Sequence, residues 1–272
     1  MIPLEDNAID IVQKAQRGLG LSDAALAESA GISRELIGKL RQGDLDEQVL
    51  LRIAPALGLD GRALCEIASG RWRPEKIECD GLGQFNTRYH DMAVNAYLVW
   101  DPVERAAATF DTGADCAQML RFANRRGLTV KLILLTHAHA DHVADLARLR
   151  EETGASVYAP AREPVSGAEP IEEGRKFRLA NLEITARLTW GHSPGGITYV
   201  VSGLARPIAI VGDSLFAGSM GGGNVSYHEA VRNNLEKILT LPNETIICPG
   251  HGPMTTVGEE KQHNPFFAGK VP

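Results

Sequence analysis

The pattern of apolar and polar positions divides the chain into two parts of different character. Up to about residue 70 the apolar residues recur at helical spacing. From about residue 76 they gather into short runs punctuated by Gly, Pro, Asn and Asp, as strands and turns do. In the first part, Asp23 to Arg41 predicts two short helices around a tight turn. Leu26, Ala27 and Ala30 share one face of the first helix, and Gly31 breaks it. Ile32 enters the turn and Ser33 is an N-cap. Leu36, Ile37 and Leu40 then form the apolar face of the second helix. Further helices are expected at about 46–57 and 61–68. Gly70 to Pro74 reads as the exit, because Pro74 disfavours helix at Arg73. The expected domains are 1–72 and 73–272.

In the second part, Met92 to Trp100, Ala106 to Phe110, Leu128 to Leu135, Ser156 to Ala159, Pro207 to Val211 and Thr245 to Cys248 predict strands. Phe177 to Leu188 predicts two more, turning about Leu179 to Leu182. Helices are expected over Ala117 to Arg126 and Val143 to Glu152, with a polar loop from Glu163 to Glu173. Asp111-Thr112-Gly113 reads as a turn, with Asp111 as the alternative candidate for steadying histidines from behind.

Candidate chemistry collects where apolar strands end. Thr136 to His142 follows a buried strand and precedes a helix, and it carries His137, His139, Asp141 and His142 within six residues. A turn can aim several side chains at one point, whereas a strand sends alternate ones to opposite faces. Imidazole suits zinc, iron and related ions, and carboxylate suits harder ones. Later turns add His192 in Gly191 to Gly196, Asp213 after the strand ending at Val211, and His251 in Pro249 to Pro253. A carboxylate leaving so apolar a strand needs a partner, since an unpaired buried charge is costly. Five His and two Asp exceed what one ion can use, but two ions sharing a carboxylate can take them all. Ser193, Ser214 and Cys248 read as packing or supporting groups. Tyr227 and His228 read as pocket or surface positions.

Composition narrows the picture. Hydrophobic content of 44% and charged content of 23% are those of an ordinary globular protein. A net charge of −6 argues against a protein built mainly to grip nucleic acid. The four cysteines show no paired spacing and read as reduced thiols, so a cytoplasmic location is expected. No secretory signal and no membrane-spanning run are read, so no membrane partner is expected.

Two resemblances follow. The alanine before the turn, Gly31 within it, and the Ile and Leu after it resemble the helix-turn-helix of the phage-repressor-like family over about residues 7–70. That resemblance implies a second helix entering a major groove, with Arg34, Lys39 and Arg41 as DNA contacts. Residues 1–74 carry 9 Lys/Arg against 11 Asp/Glu, a balance of −2, which is not the basic footprint of a dedicated DNA binder. Homodimer formation, docking on the catalytic domain or covering its site are the alternative roles.

His137-x-His139-x-Asp141-His142, then His192, Asp213 and His251, resemble the metallo-β-lactamase superfamily over about residues 80–265. The resemblance implies an α/β fold, an αββα sandwich, here preceded by the small all-α helix-turn-helix bundle. It implies two divalent metal ions at one sheet edge, zinc first, with iron or manganese as alternatives. His137, His139 and His192 would hold the first ion, Asp141, His142 and His251 the second, and Asp213 would bridge. Asp213-Ser214-Leu215-Phe216, Pro249 to Pro253 and Asn264-Pro265-Phe266 resemble the short glyoxalase-II-like hydrolases. Ala217 to Asn224 lacks the basic and aromatic glutathione contacts expected in that branch, and the helical C-terminal domain of the longer enzymes is not seen. The implied reaction is attack of a metal-bridging hydroxide on a small thioester or ester, with Asp141 and Asp213 as catalytic residues. The alternatives are a persulfide dioxygenase with one iron on His137, His192 and Asp213, a lactonase, or a transcriptional regulator that binds DNA through residues 23–41.

Overall fold

The computed structural model describes residues 2–270. Five helices come first: α1 Ala8–Gly18, α2 Asp23–Ala30, α3 Arg34–Arg41, α4 Glu47–Ile53 and α5 Gly61–Ala68. Asn7 caps α1 by accepting from Ile9 and Asp10 N–H, while Asp10 returns a bond to the Asn7 N–H. Ser22 and Ser33 cap α2 and α3. Gly31, at φ +63°, ends α2 in the left-handed conformation that the turn needs. The helix expected over 46–57 stops at Ile53 and gives way to a single tight turn at Pro55–Leu57, where proline interrupts the bonding ladder.

The rest builds two six-stranded sheets. The first holds β1 Leu82–Tyr89, β2 Met92–Trp100, β3 Ala106–Phe110, β4 Thr129–Leu134, β5 Ser156–Pro160 and β6 Glu169–Ile171, in that spatial order. The second runs β7 Lys176–Leu179, β8 Leu182–Leu188, β9 Ile197–Ser202, β10 Ile208–Gly212, β11 Ile246–Pro249 and β12 Thr255–Thr256. β3 to β6 are mutually parallel, and β10 pairs parallel with β11. Parallel neighbours end at the same edge, so the turns after β10 and β11 leave the sheet together. Helices α6 Ala117–Arg125, α7 Ala140–Val143, α8 Leu146–Thr153, α9 Tyr227–Asn233 and α10 Val257–His263 complete the chain.

Alternation along the strands sorts side chains into three cores. Tyr97, Val99, Phe110 and Leu134 of the first sheet meet Ile184, Tyr199, Ile208 and Ile210 of the second. On the outer face of the first sheet, Leu98, Trp100 and Ile133 pack against Met119 and Leu120 of α6 and Leu149 of α8. On the outer face of the second sheet, Ala209 and Val211 join a cluster that contains Ile11, Leu26, Ile37, Leu50, Leu64 and Trp72. The N-terminal helices therefore share the outer helical layer of the second sheet, giving an αββα order. Asp60 N–H donates to the Pro265 carbonyl at 2.7 Å, and the Trp72 ring stacks on His263 at 5.2 Å. No helix among the described residues is long and apolar enough to cross a membrane.

Candidate metal centre

Four strand-terminal turns converge on one sheet edge. The turn after β4 brings His137 and His139, and the first turn of α7 brings Asp141 and His142. The loop after β8 brings His192, and the turns after β10 and β11 bring Asp213 and His251. Ligand atoms of His137, His139, His192 and Asp213 lie within 4.8 Å of one another, as do those of Asp141, His142 and His251. Asp213 joins the groups. Its Oδ2 is 3.4 Å from His192 Nε2 and 3.4 Å from His251 Nε2, and its Oδ1 is 3.3 Å from His142 Nε2. Asp141 Oδ2 stands 3.3 Å from His251 Nε2 and 3.5 Å from His142 Nε2. The close approach needs Gly250, where a Cβ would overlap Asp213 Oδ1 and lie 2.7 Å from His142 Cε1.

Four of the five rings are fixed from behind. His142 Nδ1 donates to Asp111 Oδ2 at 2.8 Å, His192 Nδ1 to the Gly222 carbonyl at 3.0 Å and His251 Nδ1 to the Ala93 carbonyl at 2.6 Å. Thr136 Oγ1 donates to Asp111 at 2.8 Å and so accepts from His137 Nδ1 at 3.0 Å. These partners set the tautomers and leave Nε2 lone pairs facing inward. Asp111, read from sequence as a turn residue, does steady the histidines; its φ of +57° marks the tight turn as well. A carboxylate followed by Gly at a strand end was the available signal, and it does not separate the two roles.

The inward atoms fit cations. His137 Nε2 and His139 Nδ1 face each other at 3.0 Å, and His192 Nε2 is 3.2 Å from the same His139 atom. A proton on His139 Nδ1 serves one of these contacts in the absence of an ion, and three inward lone pairs at that distance would call for a cation between them. His142 Nε2 and Asp213 Oδ1 are buried without a hydrogen-bond partner, which a metal ion would supply. Burial pulls the His142 and His251 pKa values down, but Asp213 outweighs it, with Asp111 behind His142 and Asp141 beside His251. The result is about 10 for His142 and about 11 for His251. Burial opposes ionisation of Asp213 too, yet His142 and His251 hold it well below the usual carboxylate range. The carboxylates thus draw positive charge to the positions that ions would fill. Burial drives His137 well below its ordinary value, consistent with a neutral ligand.

Ser193 and Ser214 line one small cavity with His137, His192 and Asp213, and the other candidates lie apart. Ser193 Oγ donates to Glu163 and Ser214 Oγ to Thr189, while Cys248 is buried between the sheets. His228 is exposed, whereas Tyr227 wedges between Gly18 of α1 and Gly223. In the helical bundle Arg34 is exposed and Lys39 pairs with Glu35 at 3.0 Å. Arg41 turns inward to Gln16 and Asp23.

A family model for the metallo-beta-lactamase superfamily matches residues 91–251. The chain is 28% identical over 201 residues to the hydroxyacylglutathione hydrolase GloC of Haemophilus influenzae, covering 65% of this chain and 93% of that protein. It is 34% identical over 188 residues to the probable metallo-hydrolase YqgX of Bacillus subtilis, covering 59% of this chain and 86% of that one. Among solved structures, TTHA1623 in a di-iron-bound form superposes with a TM-score of 0.54 at 31% identity, over 67% of this chain and all of that chain.

Proposed function

The chain belongs to the metallo-beta-lactamase superfamily, and from that premise we propose a binuclear metal-dependent hydrolase that cleaves a small thioester or ester. The observation that carries this reading is the position of Asp213, within 3.4 Å of a histidine from each ligand group. A carboxylate so placed would serve two ions, which supports the binuclear reading. His137, His139 and His192 would hold the first, Asp141, His142 and His251 the second, and Asp213 would span them. Two divalent ions supply an acidified water near neutral pH and Lewis acidity toward a carbonyl.

The chain's own residues supply the rest. Asp111, Gly222 O and Ala93 O hold His142, His192 and His251 in single orientations. Asp141 and Asp213 bring two buried carboxylates that would offset part of the charge of bound ions and would accept hydrogen bonds from a water held there. Hydrolysis consumes one water and releases a carboxylic acid with a thiol or alcohol, so no Ser or Cys nucleophile is needed. Zinc is the proposed metal on the donor set. Iron is the alternative, because TTHA1623, at 31% identity, was solved in a di-iron-bound form.

The likeness to a hydroxyacylglutathione hydrolase favours the thioester class. Ala217 to Asn224 offers no basic or aromatic side chain, so glutathione itself is not part of the proposal. The complete second ligand group, buried and oriented, favours two metals over a mononuclear iron dioxygenase. As a DNA reader, the bundle would present Arg34 and Lys39 but not Arg41, which is held inside.

The test compares S-lactoylglutathione, a p-nitrophenyl ester and a lactone, each under air and without oxygen. Oxygen-independent hydrolysis of the thioester or ester supports the reading. Oxygen uptake on glutathione persulfide with no hydrolysis would replace it with the dioxygenase, and turnover of the lactone alone would replace it with a lactonase.

A further inference from the structure

The segment after Asp213 forms a strap across the metal centre. Phe216 packs its ring edge-on against His251, with centroids 5.7 Å apart at 88°. Gly221 lies against the Asp213 carbonyl so closely that a Cβ there would overlap it, and the same Cβ would lie 3.1 Å from His192 Nδ1. The next carbonyl, Gly222 O, is the one that orients His192. His192, Asp213 and His251, drawn from both candidate metal groups, thus lie against residues 216–222.

What holds the strap on one side is the N-terminal segment. Lys14 of α1 donates to the Met220 carbonyl at 2.9 Å, and its ammonium sits 4.9 Å from the Phe216 ring centroid. Lys14 also pairs with Asp6, and Asp6 accepts from Ser219 Oγ at 2.6 Å. Asp6, Ser219 and Met220 are buried, and the Lys14 side chain is only 14% exposed. Each polar group of the network meets a partner of opposite sense, so the pair is satisfied in a water-poor place. Two hundred residues of chain separate α1 from the strap, so nothing local requires this contact.

We propose that Asp6 and Lys14 are positioning residues of the metal centre, acting through the strap on His192, Asp213 and His251. The N-terminal bundle is then a working part of the hydrolase rather than a detachable module. The inference rests on the binuclear reading above.

The experiment measures zinc release from the full-length zinc-loaded protein to a chromophoric chelator, with kcat and KM on the best substrate. Four variants join the wild type: Lys14→Met, Lys14→Arg, Ser219→Ala, and Ile37→Val as a bundle mutation within α3. Ser219→Ala keeps the test open should Lys14→Met fail to fold. Lys14→Met is expected to release zinc about tenfold faster, the lower end for a residue that supports a ligand indirectly. It is expected to lower kcat with little change in KM, and Lys14→Arg is expected to restore much of both. Ser219→Ala should shift zinc release in the same direction by less. Ile37→Val should lower the melting temperature without changing zinc release. Unchanged release in both Lys14→Met and Ser219→Ala, or equal acceleration by Ile37→Val, would overturn the inference. A wild type that holds no metal would instead overturn the reading beneath it.

Discussion

Replacing Asp111 by Asn tests the centre without touching a ligand. The Asp111 carboxylate accepts three bonds: Thr136 N–H at 2.7 Å, Thr136 Oγ1–H at 2.8 Å and His142 Nδ1–H at 2.8 Å. All three partners donate. Asn keeps the shape and tolerates the left-handed backbone at φ +57°, so the turn survives. Its amide offers one oxygen and one NH2 group, so one side must face a donor. If the NH2 faces His142, the ring keeps its proton on Nε2 and loses the inward lone pair. If it faces the Thr136 N–H, the turn carrying His137 shifts instead. Loss of such a supporting partner costs about 10–100-fold in metal affinity, or roughly 1.4–2.8 kcal/mol at about 1.4 kcal/mol per tenfold. The assay is zinc competition against a chromophoric chelator, fitted for two sites, with far-UV circular dichroism as the fold control. The weaker constant should belong mainly to the group containing His142. Two constants within about threefold of wild type, well short of the expected loss, would refute the claim that Asp111 sets the His142 ring.

Further outcomes follow from the same geometry. Gly221→Ala should cut kcat/KM by about 100-fold, because a misplacement of about 1 Å can cost that much; activity near wild type would show that the strap yields without consequence. Trp72→Ala should cost about 3–5 kcal/mol in urea denaturation, since the ring is buried between the bundle and α10; a loss under about 1 kcal/mol would mean that the bundle docks without it. Asp101 accepts from Val103 and Glu104 N–H and from Asn181 N–H and Nδ2, and these bonds lower its pKa from 3.8 to about 2. A depressed carboxylate contributes stability above its unfolded value and loses it as pH falls toward the folded one. Wild type should therefore lose stability between pH 3.8 and about 2, and Asp101→Asn should flatten that limb; parallel acid profiles would contradict the assignment.

The metal turn was legible because its signals agree. Leu128 to Leu135 is short and apolar, four ligand-type residues follow, and no other arrangement uses them so well. The later members of the cluster were legible for the same reason, each following a strand end. β1 was not legible: it is a partly buried edge strand made of Leu, Gly, Gln, Phe, Asn, Thr, Arg and Tyr, with no alternation to betray it. β6 was hidden in a polar loop because three residues, two of them exposed, carry no period. The helix expected over 143–152 breaks at Ala144 and Asp145, where Asp145 takes a carboxyl bond from the Cys116 N–H and leaves helical geometry. Docking of the bundle on the catalytic domain was one reading of the sequence, but its seat on the second sheet was not legible, because apolar faces in separate segments do not name their partners. The roles of Asp6 and Lys14 were invisible for that reason: nothing in the sequence ties residues 6 and 14 to residues 216–222.

The central claim is that one sheet edge holds two ions, and the most direct test is stoichiometric. Metal-free protein is titrated with zinc while hydrolysis of the best thioester or ester is followed. The account predicts that activity climbs to a plateau at two equivalents per chain and that Asp213→Ala abolishes the plateau. A plateau at one equivalent, unchanged when His142 or His251 is replaced by Ala, would contradict it.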